Sequence, residues 1–167
     1  MTHANEPQSY IEIRDVTMAY ESLVIQRDLN FTINQGDIFV IMGGSGCGKS
    51  TLLKHMLGLI PPSSGDILYN GSSFFQTSAA QQGMMRQRWG ITYQSGGLFS
   101  AMTLAENITL PLELYTRYTP AEITEIVAYK LALVGLAGYQ SYYPSEISGG
   151  MQKRAALARA IALDPEI

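Results

Sequence analysis

A mixed α/β fold is predicted for this chain of 167 residues from three features of its sequence. Residues 11–16 and 29–33 alternate apolar and polar side chains, as strands of an antiparallel sheet with one wet face do. Residues 38–42 are apolar at every position, which is typical of a central strand covered on both faces. A glycine-rich loop follows directly, and then apolar residues recur at helical spacing up to Pro61. The order strand, glycine loop and helix is therefore expected near residue 50.

Composition bounds the class of protein. With 46% hydrophobic and 15% charged residues the chain can bury a core, and its length favours one domain. A net charge of −3 gives no positive field for nucleic acid, so no nucleic-acid partner is expected. The single cysteine, Cys47, excludes an internal disulfide. No secretory signal pattern and no run of 18 apolar residues is present, so a partner would have to supply any membrane span.

Local signals place further elements. Residues 67–69 look like a strand that enters a tight turn at Asn70-Gly71, because this pair tolerates positive φ. His55 is expected on the exposed side of the helix after the glycine loop. A last, alanine-rich helix should run over 151–163 and end at Asp164-Pro165.

Two capping boxes predict helix starts. In Thr103-Leu-Ala-Glu106 and Thr119-Pro-Ala-Glu122 the threonine accepts from an unpaired amide while the glutamate reaches back to the threonine amide. Proline at the first helical position of the second box costs nothing, since that amide has no helical partner.

The glycine loop carries the strongest chemical signal. Gly43-x-x-x-x-Gly48-Lys49-Ser50 fits the pattern whose amides wrap a β-phosphate, whose lysine pairs with β/γ oxygens and whose serine ligates Mg²⁺. The alternative is a glycine-rich turn followed by an accidental Lys-Ser pair. Cys47 is interpreted as a small tolerated residue rather than a nucleophile. The residues expected to line this site are Gly43, Gly44, Ser45, Gly46, Cys47, Gly48, Lys49, Ser50 and Thr51.

A second anion-ready helix end is expected later in the chain. Ser148 stands at an N-cap position and two glycines bare the amides of the first turn. Taken alone, this pattern is equally compatible with an ordinary helix cap. The residues concerned are Ser148, Gly149, Gly150 and Met151.

In combination these motifs resemble the ABC ATPase family. Gly43–Ser50 matches its Walker A loop, Ile147-Ser-Gly-Gly-Met151 resembles its LSGGQ signature, and Gln94 in Ile91-Thr-Tyr-Gln94 matches its Q-loop glutamine. Tyr20 matches the aromatic that stacks on adenine, with an ordinary strand tyrosine as the alternative. The resemblance covers nearly all of 11–167 in the family's order.

The resemblance implies a P-loop NTPase fold of ABC type, with an N-terminal antiparallel β-subdomain, a parallel core sheet and a helical subdomain. The implied division is 1–95 for the β-subdomain and P-loop core, 96–150 for the helical subdomain, and 151–167 for the signature helix returning to the core. ATP and Mg²⁺ are the implied cofactors, with Ser50 and Gln94 at the metal. Lys49, Gln94, Ser148 and Gly150 are the implied catalytic groups. ATP would lie between two head-to-tail copies of the subunit, and region 94–112 would receive a membrane permease.

A narrower similarity is to the ATPase subunits of Mla-type phospholipid transporters, which are linked to MCE lipid-carrying proteins. It rests on the sequences of 93–99, 104–112 and 145–165, and Met151 in place of the signature glutamine is typical of that subgroup. It implies phospholipid transport by a subunit on the inner face of the cytoplasmic membrane, held there by its permease.

The sequence departs from the family after Ile167, where Walker B, the catalytic glutamate and the switch histidine would follow. Glu166 precedes that region and is not expected to be the base, and neither His3 nor His55 is placed to be the switch histidine. The chain is thus expected to be incomplete at its C-terminus, to bind nucleotide and to turn over little ATP alone. Alternatives are a non-hydrolysing nucleotide-binding fragment and an ABC ATPase importing or exporting another substrate. A DNA-repair type is disfavoured because no sustained heptads separate Gln94 from Ser148.

Overall fold

A four-stranded antiparallel sheet opens the chain in the computed structural model, which describes residues 9–20, 23–94 and 96–167. Its strands are β1 (Ser9–Tyr20), β2 (Leu23–Asn34), β3 (Ser64–Tyr69) and β4 (Ser72–Ser73), in the order β2-β1-β3-β4. Both strands expected at 11–16 and 29–33 are confirmed, and they pair with each other in the register Ile13↔Phe31.

The turn between β3 and β4 has the predicted chemistry. Asn70 and Gly71 have φ values of 48° and 75°, so both central residues are left-handed, as a two-residue type I′ hairpin turn requires. Val16 of β1 and Ile67 of β3 are fully buried, and Phe74 directly after β4 is 1% exposed. Burial of strand residues fixes the register, because a shift of one residue would turn them outwards.

The central strand expected at 38–42 is not formed, and the prediction of strand structure there was wrong. These residues have no regular secondary structure, and Ile38 and Met42 are 95% and 85% exposed. A strand exists only where a neighbour accepts its backbone hydrogen bonds, and none of the four described strands pairs with this segment. Likewise, the expected parallel core sheet is not formed among residues 9–20, 23–94 and 96–167.

Helix α1 (Lys49–Met56) follows the glycine loop and is shorter than expected. It ends before Gly58, whose φ is 63° and whose position admits no side chain, because a Cβ would lie 2.0 Å from the Phe74 ring. His55 is only 2% exposed, so its predicted exposed position was wrong. Its spacing from Leu52 places it on the buried face of α1, where Nδ1 lies 2.9 Å from the Ile60 carbonyl.

Helix α2 (Ala79–Arg86) was not predicted from the sequence. Ser78 Oγ accepts from the Gln81 amide at 3.3 Å, and Gln81 Oε1 accepts from the Ser78 amide at 3.1 Å. This is a serine–glutamine capping box, a signal that the sequence does contain.

The described second half of the chain contains three α-helices, α3 (Leu104–Tyr115), α4 (Pro120–Leu133) and α5 (Gly149–Ala160), and a short 3-10 helix at Pro144–Glu146. Both predicted capping boxes are confirmed. The Thr103 amide donates to Glu106 at 2.7 Å, and the Thr119 amide donates to Glu122 at 2.7 Å. The helices pack around one apolar cluster that includes Leu104, Ile108, Leu112, Val127, Leu131, Leu136, Ala155 and Ala158.

The chain after α5 lies beside residues 88–90. The Gly90 amide donates to the Ile167 carbonyl at 2.6 Å, and the Ile167 amide donates to the Arg88 carbonyl at 3.3 Å. These two bonds have the pattern of a parallel strand pair at its first residue. Gly90 is required there, because a Cβ would lie 2.7 Å from the Ala160 carbonyl.

A buried lysine holds the end of α5. Lys130 of α4 is 3% exposed and forms an ion pair with Asp164, which has a φ of 49° and is 85% exposed. A buried ammonium needs such a partner, since burial of an unpaired charge is costly. The turn that leads out of α5 is thereby fixed to α4.

The chain divides into two compact units, residues up to Met85 and Arg86–Ile167. The sheet and the glycine loop belong to the first unit, while α3, α4 and α5 belong to the second. No helix in the described part of the chain is long and apolar enough to cross a membrane.

Candidate functional site

The glycine loop forms a series of turns between residue 43 and the start of α1 at Lys49. Gly46 and Gly48 have φ values of 81° and 96°, which side-chain-bearing residues rarely adopt. At Gly48 space is also limiting, because a Cβ would lie 2.7 Å from Ile25 Cγ2. The loop is therefore neither strand nor helix, and glycine is needed where it meets the helix.

Lys49 directs its ammonium group back over the loop. Its Nζ donates to the carbonyls of Gly43 at 2.7 Å and Gly44 at 2.6 Å, and it lies 3.5 Å from Cys47 Sγ. One positive charge is thus held directly against the loop backbone. A phosphate oxygen bound at this loop would therefore lie close to the Lys49 ammonium group.

The N-terminus of α1 offers unpaired amides next to that charge. Gly48 is the N-cap residue and supplies no side-chain acceptor. The first hydrogen bond of the helix runs from the Leu52 amide to the Gly48 carbonyl, at 2.8 Å. Among the described residues the amides of Lys49, Ser50 and Thr51 have no acceptor, as expected for the first turn of a helix. Amides and helix dipole together favour an anion. The loop thus fits a phosphate group.

A glutamine that sequence reasoning missed supports the loop from the sheet. Gln26 of β2 donates through Nε2 to the Cys47 carbonyl at 3.1 Å. Cys47 is half-buried and packs against Gly43, where a Cβ would lie 2.5 Å from Cys47 Sγ. The Gln26 and Cys47 side chains therefore both support the conformation of the loop. The sequence contains only a weak signal for this role of Gln26, which is one polar residue in a strand that contains several.

Tyr20 is the last residue of β1, but its side chain lies outside the part of the chain that the structure describes. The expected stacking on adenine therefore remains a prediction.

Gln94 belongs to the second unit and is exposed in a turn, closed by a 2.9 Å hydrogen bond from the Gly96 amide to the Tyr93 carbonyl. Ser95 lies outside the described residues. An exposed carboxamide on a turn is free to bind a ligand, and the structure shows no competing use of it within residues 9–20, 23–94 and 96–167.

Ser148 caps α5 as predicted. Its Oγ accepts from the Met151 amide at 3.3 Å, and Gly149 and Gly150 are exposed with open space around each Cα. Gln152 fixes the preceding segment by donating to the Pro144 carbonyl at 2.8 Å. The first turn contains no acidic residue, so nothing in it opposes the positive end of the helix dipole.

No cluster of three or more His, Cys, Asp or Glu side chains suited to a metal occurs in the described part of the chain. The hydroxyl of Ser50 is exposed at the start of α1, beside the amides that fit phosphate. A hard oxygen donor of this kind suits Mg²⁺ that is bound mainly through phosphate oxygens.

Loop, lysine and helix end together have the arrangement of the phosphate-binding-loop class of proteins. The family model described as ABC transporter matches residues 26–167. This chain belongs to the ABC transporter family.

Named relatives and solved structures agree with that assignment. The probable ribonucleotide transport ATP-binding protein mkl of Mycobacterium bovis is 43% identical over 157 residues, covering 94% of this chain and 44% of mkl. The intermembrane phospholipid transport system ATP-binding protein MlaF of Haemophilus influenzae is 42% identical over 160 residues, covering 96% of this chain and 61% of MlaF. The ATP-binding cassette MJ0796, in a dimeric post-hydrolysis state with ADP and Pi, superposes with a TM-score of 0.83 at 28% identity, covering 93% of this chain and 70% of that one.

The P-loop NTPase fold of ABC type is thus confirmed as the fold class. The chain spans about half the length of the curated relatives it matches.

Proposed function

We propose that this chain is the nucleotide-binding part of an ABC transporter ATPase subunit, which binds ATP with Mg²⁺ at Gly43–Thr51. The observation that carries the proposal is the position of Lys49. Its ammonium donates to the Gly43 and Gly44 carbonyls of the loop, and the first three amides of its helix have no acceptor among the described residues. Family membership supports the choice of ATP as the phosphate-bearing ligand.

Each residue has a role that follows from its chemistry. Lys49 and the amides of 44–51 hold the phosphates, and Tyr20 holds the base by stacking. Ser50 and Gln94 provide oxygen donors for Mg²⁺, whose charge neutralises the phosphate oxygens during phosphoryl transfer. The exposed end of α5 at Ser148–Met151 is proposed to meet ATP held by a second copy of the subunit, as the family motif implies. The proposed functional division is 1–95 for the β-subdomain and phosphate-loop core, 96–150 for the helical subdomain and 151–167 for the helix that returns to the core.

ATP hydrolysis, coupled to transport, is proposed for the whole protein. Its partners are a membrane permease, a second copy in head-to-tail orientation and an MCE-type lipid-binding protein. The proposed location is the cytoplasmic side of the membrane, peripheral on the permease. For the cargo we favour phospholipid, on the similarity to MlaF, over the ribonucleotide of the mkl name.

Replacement of Lys49 by alanine tests the proposal. Affinity for ATP should fall roughly 10- to 100-fold, because hydrogen bonds to charged groups contribute about 1.5–3 kcal/mol each. The matched control is Lys54→Ala, which removes an exposed lysine from the last turn of the same helix. Isothermal titration with Mg-ATP measures both variants, with circular dichroism to verify folding. Equal affinities for Lys49→Ala and Lys54→Ala would contradict the proposed site.

A further inference from the structure

Asn107 is a fully buried polar side chain whose purpose the proposed function leaves open. It is 0% exposed within α3, on the same face as Leu104 and Ile108. A buried carboxamide costs free energy unless its donors and acceptor are satisfied, so its partners show what it does.

Among the described residues, the backbone partners of the Asn107 side chain lie in the loop before α3. Its Oδ1 accepts from the Phe99 amide at 2.8 Å, and its Nδ2 donates to the carbonyls of Phe99 (3.1 Å), Met102 (3.1 Å) and Thr103 (2.9 Å). One side chain thus fixes both ends of the loop 99–103.

Arg159 connects this loop to α5. Its guanidinium carbon lies 5.5 Å from the centre of the Phe99 ring, and its Nη1 lies 3.5 Å from Asn107 Oδ1. Partial burial lowers the pKa of the Arg159 guanidinium, and Tyr93 acts in the opposite direction. Partial burial of the cation strengthens a cation–π contact relative to a fully exposed one.

The turn that carries Gln94 rests on the same helix. A Cβ on Gly96 would lie 3.5 Å from the Gln152 carbonyl and 3.6 Å from Ala156 Cβ, which is ordinary contact distance, and Gly96 is buried. On Gly97 a Cβ would lie 3.6 Å from Arg159 Nη2. The backbone from Gly96 to Phe99 therefore follows the surface of α5 closely.

We propose that Asn107 and Arg159 are positioning residues that fasten the segment 96–103 to α5, so that Gln94 and the Ser148 end of that helix move as one body. The proposal rests on the proposed function for its catalytic consequence. Fastening lets a displacement of α5 change the position of the Gln94 carboxamide without deforming the loop between them. Neither residue touches nucleotide in this scheme.

Arg159→Gln in the whole protein, assembled with its permease, tests the proposal, with Lys153→Gln as the control that removes an exposed cation from the same helix. Hydrogen exchange of amides 96–103 should accelerate about fivefold in Arg159→Gln, the factor expected for loss of a partly buried cation–π contact. The kcat for ATP should fall by a similar factor while KM stays unchanged, because the phosphate loop is untouched. Asn107→Leu, which has a similar volume and loses the acceptor and both donors, should accelerate the same amides.

Faster exchange confined to 96–103, with kcat lowered and KM constant, supports the proposal. Unchanged exchange in that segment would overturn it, and so would acceleration spread evenly over α3, α4 and α5, which indicates a general loss of stability. A wild-type protein that hydrolyses no ATP would contradict the proposed function, whereas the exchange comparison would still decide whether the segment is fastened.

Discussion

Gly48 links the geometry of the phosphate loop to its chemistry at the scale of one residue. Its φ of 96° and the proximity of Ile25 leave no room for a side chain. Gly48→Ala should therefore distort the first turn of α1, where the unpaired amides lie.

For Gly48→Ala we expect about 1–3 kcal/mol of destabilisation, the range seen for strained backbone positions, together with a loss of ATP affinity. The control is Gly83→Ala within α2, where the space around the Cα is open and alanine should raise stability by up to about 1 kcal/mol. Thermal unfolding and nucleotide titration check both variants. A stable Gly48→Ala protein with full ATP affinity would exclude the strain argument.

Tyr69 joins the sheet to the helix that carries Lys49. Its hydroxyl donates to the Met56 carbonyl at the end of α1, and burial raises the pKa of the Tyr69 phenol. Tyr69→Phe keeps the ring and leaves that carbonyl without this donor, so we expect a loss of about 1–2 kcal/mol in the free energy of unfolding. Chemical denaturation measures it. A difference below about 0.5 kcal/mol would indicate that water replaces the hydroxyl.

Single residues were the hardest to predict from sequence. The loop glycines and Lys49 were identified because their motif has a fixed spacing, whereas His55, Asn107 and Arg159 have none. His55 and Asn107 are buried because of their phase on the helix, and Arg159 contacts residues distant in sequence. Asn107 did leave one signal, a polar residue on the apolar face of a capped helix, and Leu52 three residues before His55 left another.

Helix starts were predicted well because a capping box is a local device that contains both of its partners. Thr103–Glu106 and Thr119–Glu122 formed as expected, and the unnoticed box at Ser78–Gln81 started α2. The strand expected at 38–42 was wrong because strand formation depends on a neighbour, which a local pattern cannot supply.

The two glutamate caps make helix stability depend on pH. Hydrogen bonds from the backbone and the hydroxyl of the cap threonine lower the pKa of Glu106 and of Glu122 below 4.5. Because the pKa is lower in the folded state, the contribution is present above about pH 4.5 and is lost as the pH falls through the lowered pKa.

The double variant Glu106→Gln, Glu122→Gln should therefore show a flatter fall of melting temperature between about pH 5 and pH 3 than the unaltered protein. Glutamine keeps the capping geometry without the charge. Glu125→Gln, outside both boxes, is the control and should retain the original acid dependence. If the melting temperatures of all three proteins fall equally with pH, these caps do not determine the acid dependence of stability.

At the scale of the molecule, the ABC fold was predictable because several motifs occur in one order, and the family match over 26–167 agrees with it. The parallel core sheet that the family resemblance implies could not be tested from motifs, because motifs do not show which strands are neighbours. Its expected strand at 38–42 exposes Ile38, Val40 and Met42, and exposed apolar segments with unpaired backbone promote association.

The 167-residue polypeptide expressed on its own should accordingly self-associate as its concentration rises. Replacing Ile38 and Met42 by threonine should shift association to higher concentration, since both side chains are almost wholly exposed. Light scattering coupled to size-exclusion chromatography measures the effect. A monomer with one sharp melting transition at every concentration would contradict this expectation.

The ion pair between Lys130 and Asp164 constrains the chain after α5 within the second unit. Because the buried ammonium of Lys130 holds Asp164, it also constrains the backbone that leaves α5 and forms hydrogen bonds with residues 88–90. Exchange of Lys130 for methionine would preserve the volume of the buried side chain but remove the ion pair with Asp164. The segment after α5 would then no longer be held in one position, and its hydrogen-bonded alignment with residues 88–90 would be lost even without nucleotide.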